Sequence, residues 1–140
     1  MKLWMSNETA GVSTIDTRNL RQVRNSIEKD LNNYLESINY KNAKLIRVRL
    51  ILIIRNDDFS ALGGERGVRK SRGEDGIYGN SLRVDYNEFK NGNETTRKLL
   101  IYQAIYKTFD MIETKKKIKN IKVIKEYINK KIEELNQDNK

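Results

Sequence analysis

The sequence predicts an α+β fold: an antiparallel sheet of about four strands, connected in the order strand, helix, strands, helix, helix, with the helices packed mainly on one face. Three observations predict it. Residues 45 to 57, LIRVRLILIIRND, alternate with a period of two. Residues 14 to 38 and 94 to 114 repeat apolar side chains every three or four positions, and no proline, internal repeat or linker breaks the order. With 140 residues and 37% hydrophobic content, the chain can bury one core without disulfides or a structural metal. Residues 1–140 are therefore read as a single domain, with 137–140 as a frayed tail.

Each element has its own grounds. In KLWMS, residues 2 to 6, Leu3 and Met5 alternate against Trp4, as in a short opening strand, and Trp4 is read as packing in the core or at the sheet edge and not as a ligand platform. From Thr14 to Ile38, the positions Leu20, Val23, Ile27, Leu31, Leu35 and Ile38 form one helical face between charged residues, with Asp16 or Thr14 as the cap. The strand of residues 45 to 57 puts Ile46, Val48, Leu50, Leu52 and Ile54 on one face, expected to carry the helices at Val48, Leu50 and Leu52, and Arg47, Arg49, Ile51, Ile53 and Arg55 on the other. NSLRVDY, residues 80 to 86, repeats the alternation, so that Asp85 could meet an arginine of the long strand. Asn93 followed by Glu94 marks the start of a largely buried helix. Ile118, Ile121, Ile124, Ile128, Ile132 and Leu135 then stripe a last, lysine-rich helix. That stripe suits packing within the chain, a homodimer seam being the other use of such a pattern.

Composition narrows function. Cysteine and histidine are both absent, so disulfides, thiolate metal sites and histidine-based triads cannot be built. No cofactor, no metal and no catalytic residue is expected, and the chain is read as a binding protein, not an enzyme. Nothing resembles a signal peptide or a membrane span, which places it in the cytoplasm without a membrane partner. The net charge of +9 is concentrated in residues 115 to 131, where eight lysines face Glu126 alone. Lysine, asparagine and isoleucine together supply 49 residues, the bias of AT-rich codons, so the charge is weak grounds for a nucleic-acid partner.

The stretch LGGERGVRKSRGEDGIYG, residues 62 to 79, holds six of the eight glycines. It lacks the order of a phosphate loop, which needs lysine and a hydroxyl directly after its glycines and a helix behind them. Gly73, Asp75 and Gly76 instead supply turn chemistry, so the segments around Val68 and Ile77 should pair as a hairpin. Such a hairpin adds little core, and loops of that kind recognise partners. Glu65, Arg66, Arg69, Lys70, Arg72, Glu74 and Asp75 are accordingly the candidate partner-binding residues, and their arginine forks suit an acidic surface. Glu88 and Lys90 form an E-x-K pair of the kind magnesium nucleases use, with Asp57 or Asp75 as the upstream carboxylate. About one such pair is expected by chance in a chain of this composition.

KLWMSNETAG, RNLRQVRNSIEKDLNNYL and LRVDYNEFKN, with Trp4, Ser6 and Glu8 leading into a helix bearing Arg24 and Glu28, resemble small bacterial immunity proteins of contact-dependent and polymorphic toxin systems. The resemblance implies a cytoplasmic single-domain inhibitor that binds one cognate toxin domain and performs no chemistry. The basic charge departs from the acidic character of immunity proteins that face nucleases, which argues against a basic nuclease as the partner. A basic nucleic-acid-binding module is the alternative function and a small magnesium nuclease the third.

Overall fold

The computed structural model describes residues 3–10, 12–38, 45–53, 66–70, 77–115 and 121–138. The chain runs β1 (Leu3–Ala10), α1 (Thr14–Ser37), β2 (Leu45–Ile53), β3 (Arg66–Lys70), β4 (Ile77–Arg83), α2 (Tyr86–Asn91), α3 (Glu94–Lys115) and α4 (Ile121–Asp138). Helices take half of it, and among the residues whose side chains are described β1 is the only strand.

The expected antiparallel four-stranded α+β fold is not formed. The strands are ordered β1-β2-β4-β3, and β1 pairs with β2, and β2 with β4, in parallel. Only β3 and β4 are antiparallel. The reason lies in the connections. A helix between two strands returns the chain to the end where it started, so β1-α1-β2 gives parallel neighbours, whereas β3 and β4, close in sequence, pair antiparallel.

Ser13 caps α1, in place of Asp16 or Thr14. Its hydroxyl accepts from the Asp16 amide at 3.1 Å and donates to the Asp16 carboxylate at 2.9 Å, so cap and third residue satisfy each other. The Asp16 carboxylate is buried and also accepts from the Tyr86 hydroxyl at 2.8 Å, joining the starts of α1 and α2. Burial, then the Asp16 bond, raises the Tyr86 pKa. Asp85 is not a cross-strand partner. It caps α2 by accepting from the Glu88 amide at 2.9 Å, a helix that the strand reading of residues 80 to 86 missed. Gly92 separates α2 from α3 because a Cβ there would lie 2.6 Å from Thr96 Cγ2 and 2.8 Å from the Glu88 carbonyl. Asn93 caps α3 as expected, accepting from the Thr96 amide at 2.9 Å.

The core joins Leu3 and Met5 to Leu20, Ile27, Leu31 and Leu35 of α1, Phe89 of α2, and Ile101, Ile105 and Phe109 of α3. Ile121, Ile124 and Ile128 complete it from α4, which packs on α3, so these isoleucines are satisfied within the chain. α1 packs against β1, and α3 touches β3 and β4. The side chains of Val48, Leu50 and Leu52, expected beneath α1 and α3, lie outside the described ones, although the register sets these residues beside Met5, Asn7 and Thr9.

Candidate partner-binding surface

The two sides of β1 have opposite fates. Leu3 and Met5 are 0% and 1% exposed, while Trp4 between them is 47% exposed. Of the two places expected for Trp4, the core is therefore excluded and the sheet edge fits, since β1 is the border strand and alternation sends Trp4 to the face opposite the core. The strand is held by three α1 residues spaced four apart. Asn32 accepts from the Leu3 amide at 2.8 Å and donates to the Leu3 carbonyl at 2.9 Å. Glu28 accepts from the Met5 amide at 2.7 Å, and Arg24 donates to the Met5 carbonyl. Positions four apart line one face of a helix, and residues two apart on a strand turn their backbone groups to the same side, so the two periods meet along β1. Each such bond contributes about 1 kcal/mol net. Arg24 and Glu28, which carry the resemblance in sequence, are thus fasteners of β1.

Across the sheet, the register aligns five rows of Trp4 parity: Leu45 beside Ile77 at one end, Ala10 beside Ile53 at the other, and three between them. Trp4 stands beside Arg47, which stands beside Gly79, which stands beside Arg69. Ser6, Arg49, Ser81 and Arg66 form the second of these, and Glu8, Ile51 and Arg83 the third. Residues paired in register share a face, so all five rows belong to the Trp4 side. Arg66 and Arg69 are three apart and would fall on opposite faces of a regular strand. The register shift between them places three steps of β3 against two of β4, and this bulge brings both arginines into Trp4-side rows.

Of the seven residues singled out in sequence, Arg66, Arg69 and Lys70 lie on β3, which pairs with β4 as the predicted hairpin. Lys70 pairs with Tyr78, in the row opposite in parity to Arg69. Glu65, Arg72, Glu74 and Asp75 lie outside the described residues. Arg47, Arg49 and Arg83 were not among the candidates. The alternation of LIRVRLILI already placed Arg47 and Arg49 away from the core, and that signal could have nominated them.

The nuclease constellation comes apart. Glu88 and Lys90 sit on exposed positions of α2, not at a strand end, and Asp57 and Asp75 lie outside the described residues. Among the described residues no group of three or more acidic side chains could hold a metal ion.

The other polar clusters tie helices together. Asp30 of α1 accepts from the Tyr102 hydroxyl of α3 and the Tyr127 hydroxyl of α4, both at 2.9 Å. Tyr127 also stacks on Tyr34, with ring centroids 3.8 Å apart and planes 8° from parallel. Burial first, and then the bond to Asp30, raises both phenols, Tyr127 to about 12. Lys125 bonds Asp110 at 2.8 Å, lies 3.5 Å from Glu113 and sits over the Tyr106 ring, and the bond to Asp110 raises its pKa. A cleft of about 220 Å³ between α1 and α3, lined by Asn19, Gln22, Ser26, Glu94, Arg97 and Lys98, contains no nucleophile paired with a base.

The family model described as Immunity protein 44 matches residues 1–139. No curated protein and no solved structure matches the chain. The match covers nearly every residue and agrees with the resemblance carried by β1 and α1: the chain belongs to the Immunity protein 44 family and is an immunity protein.

Proposed function

We propose that this immunity protein neutralises one cognate toxin domain by direct, stoichiometric contact in the cytoplasm, with no chemistry of its own. Membership of the family over residues 1–139 carries the reading. The absence of histidine and cysteine supports it, because it removes the commonest proton-transfer and nucleophilic side chains. Among the described residues no helix is long and apolar enough to cross a membrane, which is compatible with action inside the cell. The hairpin of residues 65 to 76 contributes to the contact, and its arginines favour an acidic toxin surface.

The test is to express the toxin domain encoded beside this gene with and without the immunity protein. Growth should be rescued only when both are present, and the purified proteins should elute together as one complex. A toxin neutralised at far below equimolar inhibitor would point to catalysis instead. Failure to bind or protect would remove the reading altogether.

A further inference from the structure

The cleft between α1 and α3 holds a cation that the chain fixes in place and leaves without a carboxylate. We infer that this cleft receives one aspartate or glutamate side chain of the toxin domain, with Arg97 as the group that binds it and Ile15 as an apolar contact beside it. The inference rests on the proposed function and adds a contact site to it.

Three observations carry it. First, Arg97 is held before any partner arrives. Its Nε donates to the Phe89 carbonyl at 2.9 Å and its Nη2 to the Lys90 carbonyl at 3.2 Å, and the guanidinium carbon lies 5.3 Å from the centre of the buried Phe89 ring. These bonds cap the end of α2 and leave the rest of the fork without an acceptor among the described residues. Second, the cleft has no anion of its own to offer. Glu94 is its one acidic lining residue and pairs with Lys98 at 3.4 Å, so Arg97 has no carboxylate partner among the described residues. Third, the facing wall of α1 is polar and neutral. Asn19, Gln22 and Ser26 stand three and four apart on one stripe of the helix, and their side chains make no hydrogen bond to a described residue. Ile15 begins the same stripe one turn earlier and, at 67% exposed, is the most exposed large apolar side chain among the described residues.

The chemistry of the occupant follows from these groups. A guanidinium fork matches a carboxylate in two-point fashion and gives up its hydration readily, and the neighbouring amides and hydroxyl can donate to the same oxygens. One unpaired cation suits a monoanion, whereas a nucleic-acid strand calls for several cations along its phosphates. A space of about 220 Å³ takes a side chain and not a helix, which is about 10 Å across. Because Arg97 is already ordered, its binding costs little side-chain freedom. Along α1, about 10 Å separates Ile15 from Gln22, so the toxin segment presents an apolar side chain at about that distance from its carboxylate.

The test compares binding of the neighbouring toxin domain, catalytically inactivated, to the wild type, to Ser26→Glu and to Asn25→Glu. Both positions are exposed on α1 and both variants make the same change in net charge, but Ser26 lines the cleft and Asn25 points about 100° away around the helix. The carboxylate of the Ser26→Glu variant should occupy Arg97 from within and raise the Kd by about 30-fold or more, and Asn25→Glu should raise it by less than about 3-fold. A second measurement needs no variant: the Arg97 Nε–H resonance of the wild type should shift when toxin is added. An indifferent Ser26→Glu, or an unmoved resonance in a wild type that binds tightly, would overturn the inference and leave the proposed function standing. Equal weakening by the two variants would also overturn it, since a general field would then explain the affinity. A wild type that binds no toxin would end the proposed function and this site together.

Discussion

The helical side of the molecule and the Trp4 face of its sheet are built from opposite materials. On the first, Phe89, Ile105 and Phe109 are fully buried, and the buried Asp16 and half-buried Asp30 accept hydrogen bonds from tyrosines of other helices. On the second, the register sets arginine, serine and glycine among Leu45, Ile51, Ile53 and Ile77, with Glu8 and a half-exposed tryptophan on the border strand. The difference teaches that the described core is built on the helical side of the sheet, and the proposed function leaves surfaces outside that core for recognition.

The largest test of that separation is Phe109→Ala. It removes a fully buried ring at the centre of α3 and should cost about 3 to 5 kcal/mol in chemical denaturation, while the folded fraction keeps its toxin affinity. A loss of affinity at temperatures where the variant is still folded would show that core and contact surface are coupled.

Asp30→Ala should have the next largest effect. It leaves the Tyr102 and Tyr127 hydroxyls without their acceptor and unlinks three helices, at a cost of about 2 kcal/mol. Tyr127→Phe should cost less, because it removes a donor but leaves Asp30 bonded to Tyr102. If Asp30→Ala unfolds at the wild-type midpoint, these bonds add nothing and the helices are held by apolar packing alone.

The smallest effect is a pH dependence. Tyr102, Tyr127 and Lys125 all titrate higher in the folded protein than in the unfolded chain. Their contribution is complete below the unfolded values and is lost as pH rises through the folded ones, which for Tyr127 means a window from about 10 to about 12. Thermal unfolding followed across the lower half of that window should show falling stability, with a shallower slope in Tyr127→Phe. Parallel slopes for variant and wild type would place the alkaline loss elsewhere.

What the sequence disclosed follows from how far each feature reaches along the chain. α1, α3 and α4 were legible because a helix is a local pattern, with Leu20, Val23, Ile27 and Leu31 recurring on one face. Strand parity was legible too, since Leu3 and Met5 are buried and Trp4 is not. Pairing direction was not, because LIRVRLILI reads the same beside a parallel or an antiparallel neighbour, and only the path of the connection decides. α2 was hidden by the apparent continuation of β4 through Val84 and Tyr86, although Asp85 followed by Glu88 has the spacing of a helix start. The candidate site was half visible. Arg66 and Arg69 were named, but nothing in RGVRK announces a bulge, and three-residue spacing without one argues that they diverge.

The fastening of β1 by Arg24, Glu28 and Asn32 bears on how this chain avoids its own copies. A strand at the border of a sheet is a template for stacking by other chains, and fibrils grow from such templates. Here the Leu3 and Met5 amides and carbonyls are occupied by side chains of the following helix, so an incoming strand finds neither donor nor acceptor there. The opposite border is β3, only five residues long, bulged and basic, and like charges meet when two such strands approach. The Leu3 to Met5 end of β1 is therefore closed to a strand from another copy.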